Sequence, residues 1–335
     1  MKILLTLDYE MFNGVDGGTV DNTILKPMRM LQSILVKYGI KITIFADVCF
    51  LLQLRELAKN NKVAKADYNN IIDQIKELAV WGHDIQLHIH PNWMNMKFED
   101  GRYKSNTSKL KLSDIEIDEA YGIFSEGIQL LKEITNKDVT AFRAGAYCIQ
   151  TLSDMPSLFK KNGIVLDSSV LRNKKSITEK REWFDYTSIP SSYAYRFNDD
   201  VTKEVEDGCF FELSIPSYRI SPLKIIINKL LLKVRRSDVN KWGDGIGSIG
   251  TLDGSVNKVF KRVKRLLHPY VVANIDDTTS AFICNIFDKE RENGSPYMMI
   301  MGHPKNFSPY SLHQFERFLM KNSKQTDFVT VTDFI

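Results

Sequence analysis

Short apolar runs closed by a polar residue recur along this chain, and stretches with apolar residues at helical spacing separate them. Ile3–Asp8 is the first run. Ile24–Tyr38 carries apolar residues three and four apart and stops before Gly39. Lys41–Val48, β-branched and aromatic, reads as a strand. Tyr68–Trp81 puts Ile71, Ile72, Ile75, Leu78 and Ala79 on one helical face and stops at Gly82. Asp84–His90 alternates Ile85, Leu87 and Ile89 with polar residues, the period of a strand. Ser113, with Glu116 three residues on, reads as a capping box that opens the next helix. Val139–Arg143 and Ile164–Val170 are further strands, with a helix near Leu152–Asn162 between them. Phe210–Ile215, Tyr297–Met301 and Phe328–Thr332 extend the pattern. Strands separated by helices of this length indicate parallel βαβ units. The number of strands favours a closed or nearly closed barrel over an open sheet. The expected fold class is therefore α/β, a barrel in a single domain over residues 1–335. With 43% hydrophobic residues the chain has enough apolar side chain for one large core.

Two stretches read as insertions. Residues 92–111 are polar and rich in Lys, Asn and Ser, hence a surface loop. Residues 217–276 break the alternation with two basic, apolar stretches, Leu223–Arg236 and Asn257–Leu267, around the glycine-rich Gly243–Gly254. Residues 223–236 alternate bases with apolar blocks. Two readings stand side by side: an amphipathic helix with a packed face, and a peripheral contact with anionic lipid. Ile3–Leu7, closed at once by Asp8, is too short for a secretion signal or a membrane span. A cytoplasmic location is expected, with peripheral attachment at the inner membrane face if the lipid reading holds. The net charge of +4 is too small to argue for nucleic acid. Cys49, Cys148, Cys209 and Cys284 are far apart and form no C-x-x-C pair, which fits reduced thiols.

Polar clusters fall where the strands end. Asp8 and Glu10, two residues apart, can share a site in which one takes a proton and the other binds a cation. Three of the six histidines lie in Gly82-His83-Asp84-Ile85-Gln86-Leu87-His88-Ile89-His90-Pro91-Asn92-Trp93. His88 and His90 share one face of a strand, and imidazole is the commonest metal-binding side chain. His83 precedes the strand and reads as structural. Arg143, Asp167 and His303 each follow an apolar run, and Arg and Asp at neighbouring strand ends would neutralise each other. Barrels of this class work at that face.

The order Thr6-Leu7-Asp8-Tyr9-Glu10, the His-rich strand end, Arg143-Ala144-Gly145-Ala146-Tyr147, Asp167-Ser168-Ser169-Val170 and Gly302-His303-Pro304 resembles the polysaccharide deacetylase (NodB-homology) superfamily, as a divergent member. The resemblance implies a distorted (β/α)7-like barrel, and on it a metal-dependent hydrolase that removes an N-acyl group, acetyl or formyl, from a carbohydrate, with surface-polysaccharide biosynthesis as the setting. It implies Asp8 as general base and His303 as general acid. Arg143 would orient Asp8 or the attacking water, and Asp167 would pair with Arg143. Glu10, His88 and His90 would hold a divalent metal, zinc by preference. Tyr147 stands where its backbone N–H would help hold the oxyanion. Beside the resemblance, Tyr9, Trp93, Tyr147 and Tyr193 are available to stack on a sugar, or equally to pack near the barrel mouth. Asn92 stands where most members have a second metal-binding histidine, and Tyr9 where many have an aspartate. The substrate could be lipid-linked or nucleotide-linked. Two other readings remain beside this one: a sugar-binding protein on the same fold that has lost catalysis, and a retaining glycosidase using Asp8 or Glu10 with a second carboxylate.

Overall fold

The computed structural model describes residues 1–150, 152, 154–177, 182–234, 238–246 and 270–334. These residues form two compact units. One comprises 1–42 with 217–330, the other 43–216 with 331–335. The second stretch of basic residues, Asn257–Leu267, lies outside the described residues, as do Arg235, Arg236 and the end of the glycine-rich turn.

The unit built on 43–216 is a sheet of six strands. Their order is Ala194–Phe197, Phe210–Leu213, Leu166–Asp167, Ala141–Ala144, Asp84–Ile89 and Thr43–Asp47. Only the first pair is antiparallel; the rest are parallel, as the β/α alternation requires. The register levels the polar strand ends: Asp47 pairs with His88, His88 with Arg143, Phe142 with Asp167, and Asp167 with Glu212. Each intervening helix starts or stops on a residue suited to it. Asp47 caps Val48–Leu57 by accepting from Cys49 N at 3.2 Å. Asn61 caps Lys62–Val80 by accepting from Val63 N and Ala64 N. Gly163 ends Met155–Asn162 in the left-handed region. The helix Ile117–Thr135 lays Gly127 on Val48, where an added Cβ would stand 2.6 Å from a methyl carbon. Phe124, Phe142, Phe159, Phe210 and Phe197 form a chain of ring contacts through the core.

Two expectations are corrected in this unit. Ser113 and Glu116 form no capping box. The helix begins at Ile117, and Asp114 instead accepts from the backbone N–H groups of Leu110 and Lys111. That closes a separate turn, Leu112–Asp114, before the helix can start. Residues 92–111 are not an open loop either. They hold the hairpin Lys97–Glu99 and Arg102–Lys104, turned by Asp100 and Gly101 at positive φ of 54° and 74°. Tyr103 pins it: its ring is buried edge-on to Phe50, and its hydroxyl donates to Asp67 at 2.6 Å.

In the other unit, the strand Lys2–Tyr9 lies parallel to Tyr297–Gly302, with Lys2 opposite Tyr297 and Leu7 opposite Gly302. It also pairs in parallel with Asp327–Val329. Lys26–Tyr38, Ile283–Glu292 and Pro309–Asn322 are its packed helices; Gly39 ends the first at φ 65°. The stretch 217–276 opens with Ser217–Arg219, antiparallel to Tyr270–Val272. Ala273–Ile275 then runs beside the strand Tyr297–Gly302: Met301 N donates to Ala273 O and Ile275 N to Met301 O, both at 2.8 Å. The helix Pro222–Val234 leaves Leu223, Ile227, Leu230 and Leu231 exposed, at spacings of four, three and one residues. Among the described residues no helix is long and apolar enough to cross a membrane. The four cysteines are free thiols.

Candidate functional site

In the first unit, Asp8, Glu10 and His303 come together. Asp8 lies near the end of the strand Lys2–Tyr9, and Glu10 follows it; both are buried. His303 follows the fully buried strand Tyr297–Gly302 and precedes the proline-initiated turn Pro304–Asn306. Its Nε2 stands 3.4 Å from an Asp8 oxygen and 3.8 Å from Glu10 Oε1. Its Nδ1 is 2.6 Å from Asp276 Oδ2, and its backbone N–H donates to Asp276 Oδ1 at 2.8 Å. Burial opposes the imidazolium, but Asp276 and Asp8 outweigh it and push His303 up to about 10. At neutral pH and without a metal ion, His303 is therefore a proton carrier seated beside a carboxylate. Tyr9 is buried, 2% exposed, and burial raises its phenol far above the usual range.

Asp276 and Lys305 were not foreseen. Asp276 is brought to His303 by Ala273 and Ile275, both fully buried; the alternation in Val272-Ala273-Asn274-Ile275 was the available signal. Lys305 donates to Glu10 Oε1 at 2.8 Å and to Met11 O at 3.0 Å. A buried lysine after His-Pro has no pattern that marks it.

This group fits a divalent ion. One oxygen from each carboxylate and a nitrogen of His303 all lie within 4.8 Å of one another. The proton that His303 Nδ1 gives to Asp276 leaves Nε2 facing the carboxylates, the arrangement that orients imidazole ligands.

The second unit carries the remaining candidates. His88 Nδ1 donates to the carbonyl of Arg143 at 2.7 Å, which puts the ring's lone pair on Nε2. The His88 and His90 rings meet edge to face at 4.8 Å, so the shared face expected from strand alternation is present. Asp47, another unforeseen residue, accepts from His90 N and Cys49 N, both at 3.2 Å. Asn92 is fully buried. Trp93 is fully buried as well, its ring edge-on to Phe50 at 5.1 Å, so it serves packing in this conformation rather than presenting a face to a sugar.

Arg143 is buried over the Phe45 ring, 4.2 Å from its centroid. Its guanidinium donates to Ser168 O at 2.9 Å and Ser168 Oγ at 3.0 Å. Asp167 accepts from Ser169 Oγ at 2.6 Å and Ser169 N at 3.1 Å. Burial raises the Asp167 carboxyl, while Glu212, Ser169 and the charge of Arg143 pull it down. Glu212, a third residue that the sequence did not mark, is pushed well up by burial and by the charge of Asp167. Two buried acids facing across paired strands each disfavour the other's charge.

The turn after Arg143 is strained. Ala146 and Tyr147, neither of them glycine, take positive φ of 53° and 63°. Gly145 lies so close to the His90 strand that a Cβ there would meet Ile89 O at 2.5 Å and His90 Nδ1 at 2.6 Å. Tyr147 is half-buried; its carbonyl accepts from the Tyr186 hydroxyl at 2.7 Å.

No family model and no curated protein matches the chain. Solved structures do. A candidate polysaccharide deacetylase from Mycobacterium smegmatis is 13% identical over 99% of this chain and 87% of its own, with a TM-score of 0.49. An allantoinase is 12% identical over 99% and 88%, with a TM-score of 0.46. A GH57-type branching enzyme from Pyrococcus horikoshii is 10% identical over 99% and 70%, with a TM-score of 0.51. This chain shares its fold. At these identities the likeness is one of fold, and activity has to be argued from the site.

Proposed function

We propose that this chain is a carbohydrate N-deacylase, a hydrolase that releases acetate or formate from an amino sugar during synthesis of a surface polysaccharide. The observation that carries this reading is the group Asp8, Glu10, His303 and Asp276, which seats a protonated imidazole against a carboxylate at a strand end. Acyl transfer from nitrogen needs a base for the attacking water and an acid for the leaving amine. Asp8 is the base. His303, held in orientation by Asp276, gives its proton to the departing nitrogen. A divalent ion, zinc by preference, would be held by Glu10, and would acidify water and polarise the acyl oxygen. The sequence resemblance adds His88 and His90 as ligands. It also adds Arg143, with Asp167 behind it, as the group that orients Asp8, and the Tyr147 N–H as a donor to the oxyanion. Tyr9 and Trp93 stay in the proposal as aromatic residues available to stack on a sugar.

The test is acyl release from N-acetyl and N-formyl amino sugars, free, nucleotide-linked and lipid-linked, with metal content measured on the same protein. Asp8→Asn and His303→Gln should each lower kcat by about 100-fold or more without unfolding the chain. Unchanged turnover in both variants would end the acid–base assignment. A second reading, a sugar-binding protein without catalysis, is favoured by Lys305, whose ammonium already holds Glu10. Saturable sugar binding with no acyl release would establish it.

A further inference from the structure

Glu10 Oε1 lies 3.8 Å from His303 Nε2, and the same oxygen accepts from Lys305 Nζ at 2.8 Å. Glu10 Oε2 accepts from Asn13 Nδ2 at 3.0 Å. Both oxygens of the carboxylate are thus engaged from within the protein. Lys305 is built into this place. Its side chain is only 10% exposed, and it also donates to Met11 O. Its ammonium lies 5.6 Å from the centroid of the Phe12 ring, and that of Lys241 lies 4.0 Å from the same centroid. The stretch carrying Lys241 is pressed onto both residues. A Cβ at Gly243 would stand 2.2 Å from Lys305 O, and one at Gly245 would stand 2.3 Å from Phe12. Asp244 anchors that stretch, accepting from Thr19 N at 2.8 Å, Thr19 Oγ1 at 2.9 Å and Asn22 Nδ2 at 3.1 Å.

We propose that Lys305 is a resident cation of the acidic group, which competes with a divalent ion for Glu10 and sets how tightly the group binds one. The inference rests on the reading of Asp8, Glu10 and His303 as the working group. The physical ground is charge. An ion bound through Glu10 Oε1 would sit within a few ångströms of an ammonium that has little water around it to screen the repulsion. The ammonium holds Glu10 in place when no metal is present. The group then binds an ion weakly and reversibly, and gains affinity when that charge is removed.

The experiment titrates the whole chain with cobalt, followed by its visible absorption, and with zinc by equilibrium dialysis. The parent is compared with Lys305→Met and Lys305→Arg. Lys305→Met is expected to bind both ions about tenfold or more tightly than the parent, and Lys305→Arg no more tightly. Adding His303→Ala to Lys305→Met should abolish the gain, which locates the ion. Lys305→Gln makes the same comparison should the methionine variant fail to fold. Tight binding by the parent, unchanged in Lys305→Met and Lys305→Gln, would overturn the role of Lys305 and leave the hydrolase reading intact. No binding in any variant would overturn both the role of Lys305 and the metal-assisted reading.

Discussion

Asp167 and Glu212 show at residue scale what a buried second carboxylate does. Glu212 is held above its ordinary range first by burial, then by the Asp167 charge and the hydrogen bond between the two. A group whose folded pKa lies above its unfolded value contributes its stability in full below the unfolded pKa and loses it as pH rises. Glu212 therefore destabilises the native state progressively from mildly acidic toward alkaline pH. Glu212→Gln keeps the shape and removes that titration, so its melting temperature should gain on the parent's from pH 5 to pH 9. A constant or shrinking difference in thermal melts across that range would refute the protonated pair. Residues of this kind were invisible in the sequence. Asp8, His88 and His303 were legible because each follows an apolar run and sits in a patterned motif. Glu212 meets Asp167, Asp276 meets His303, Asp47 meets the His90 N–H and Lys305 meets Glu10 only through the fold, which no spacing along the chain reports.

At the scale of elements, period was informative and punctuation was not. The strands and helices expected from alternation and helical spacing are present, shifted by a few residues at their ends. The capping box at Ser113 failed because the helix begins later, at Ile117, after a turn that Asp114 closes by accepting from Leu110 N and Lys111 N. The hairpin at 97–104 was missed although Asp100-Gly101 is a hairpin turn signal, because polar composition masked the two short strands around it. The contact of the Gly145 turn with the His90 strand yields a further prediction. Gly145→Ala should cost about 1–3 kcal/mol in urea unfolding, since the new methyl meets a carbonyl and an imidazole rather than open space. A neutral result would mean that the turn yields readily, and that the strain at Ala146 and Tyr147 is not locked in by its surroundings.

For the molecule as a whole, the helix Pro222–Val234 poses the question of what it meets. Leu223, Ile227, Leu230 and Leu231 are 64%, 47%, 57% and 61% exposed, on a chain of net charge +4. An apolar stripe on a basic helix suits an anionic bilayer surface. The full chain should sediment with vesicles of mixed phosphatidylglycerol and phosphatidylcholine and remain in solution with phosphatidylcholine alone. Leu230→Ser with Leu231→Ser should lower the bound fraction severalfold. Equal binding of parent and double variant would remove the helix from consideration. The pairing of Lys2–Tyr9 with Tyr297–Gly302 also has a consequence in time. Glu10 and the lysine that holds it are 295 residues apart in sequence. At roughly 5–20 residues per second, the first strand waits some 15–60 seconds on the ribosome before Tyr297–Gly302 is made. Through that interval the edge that will take Tyr297–Gly302 is a hazard that a chaperone or nascent structure has to cover. The chemistry proposed for Asp8 is switched on only after His303 and Lys305 have emerged.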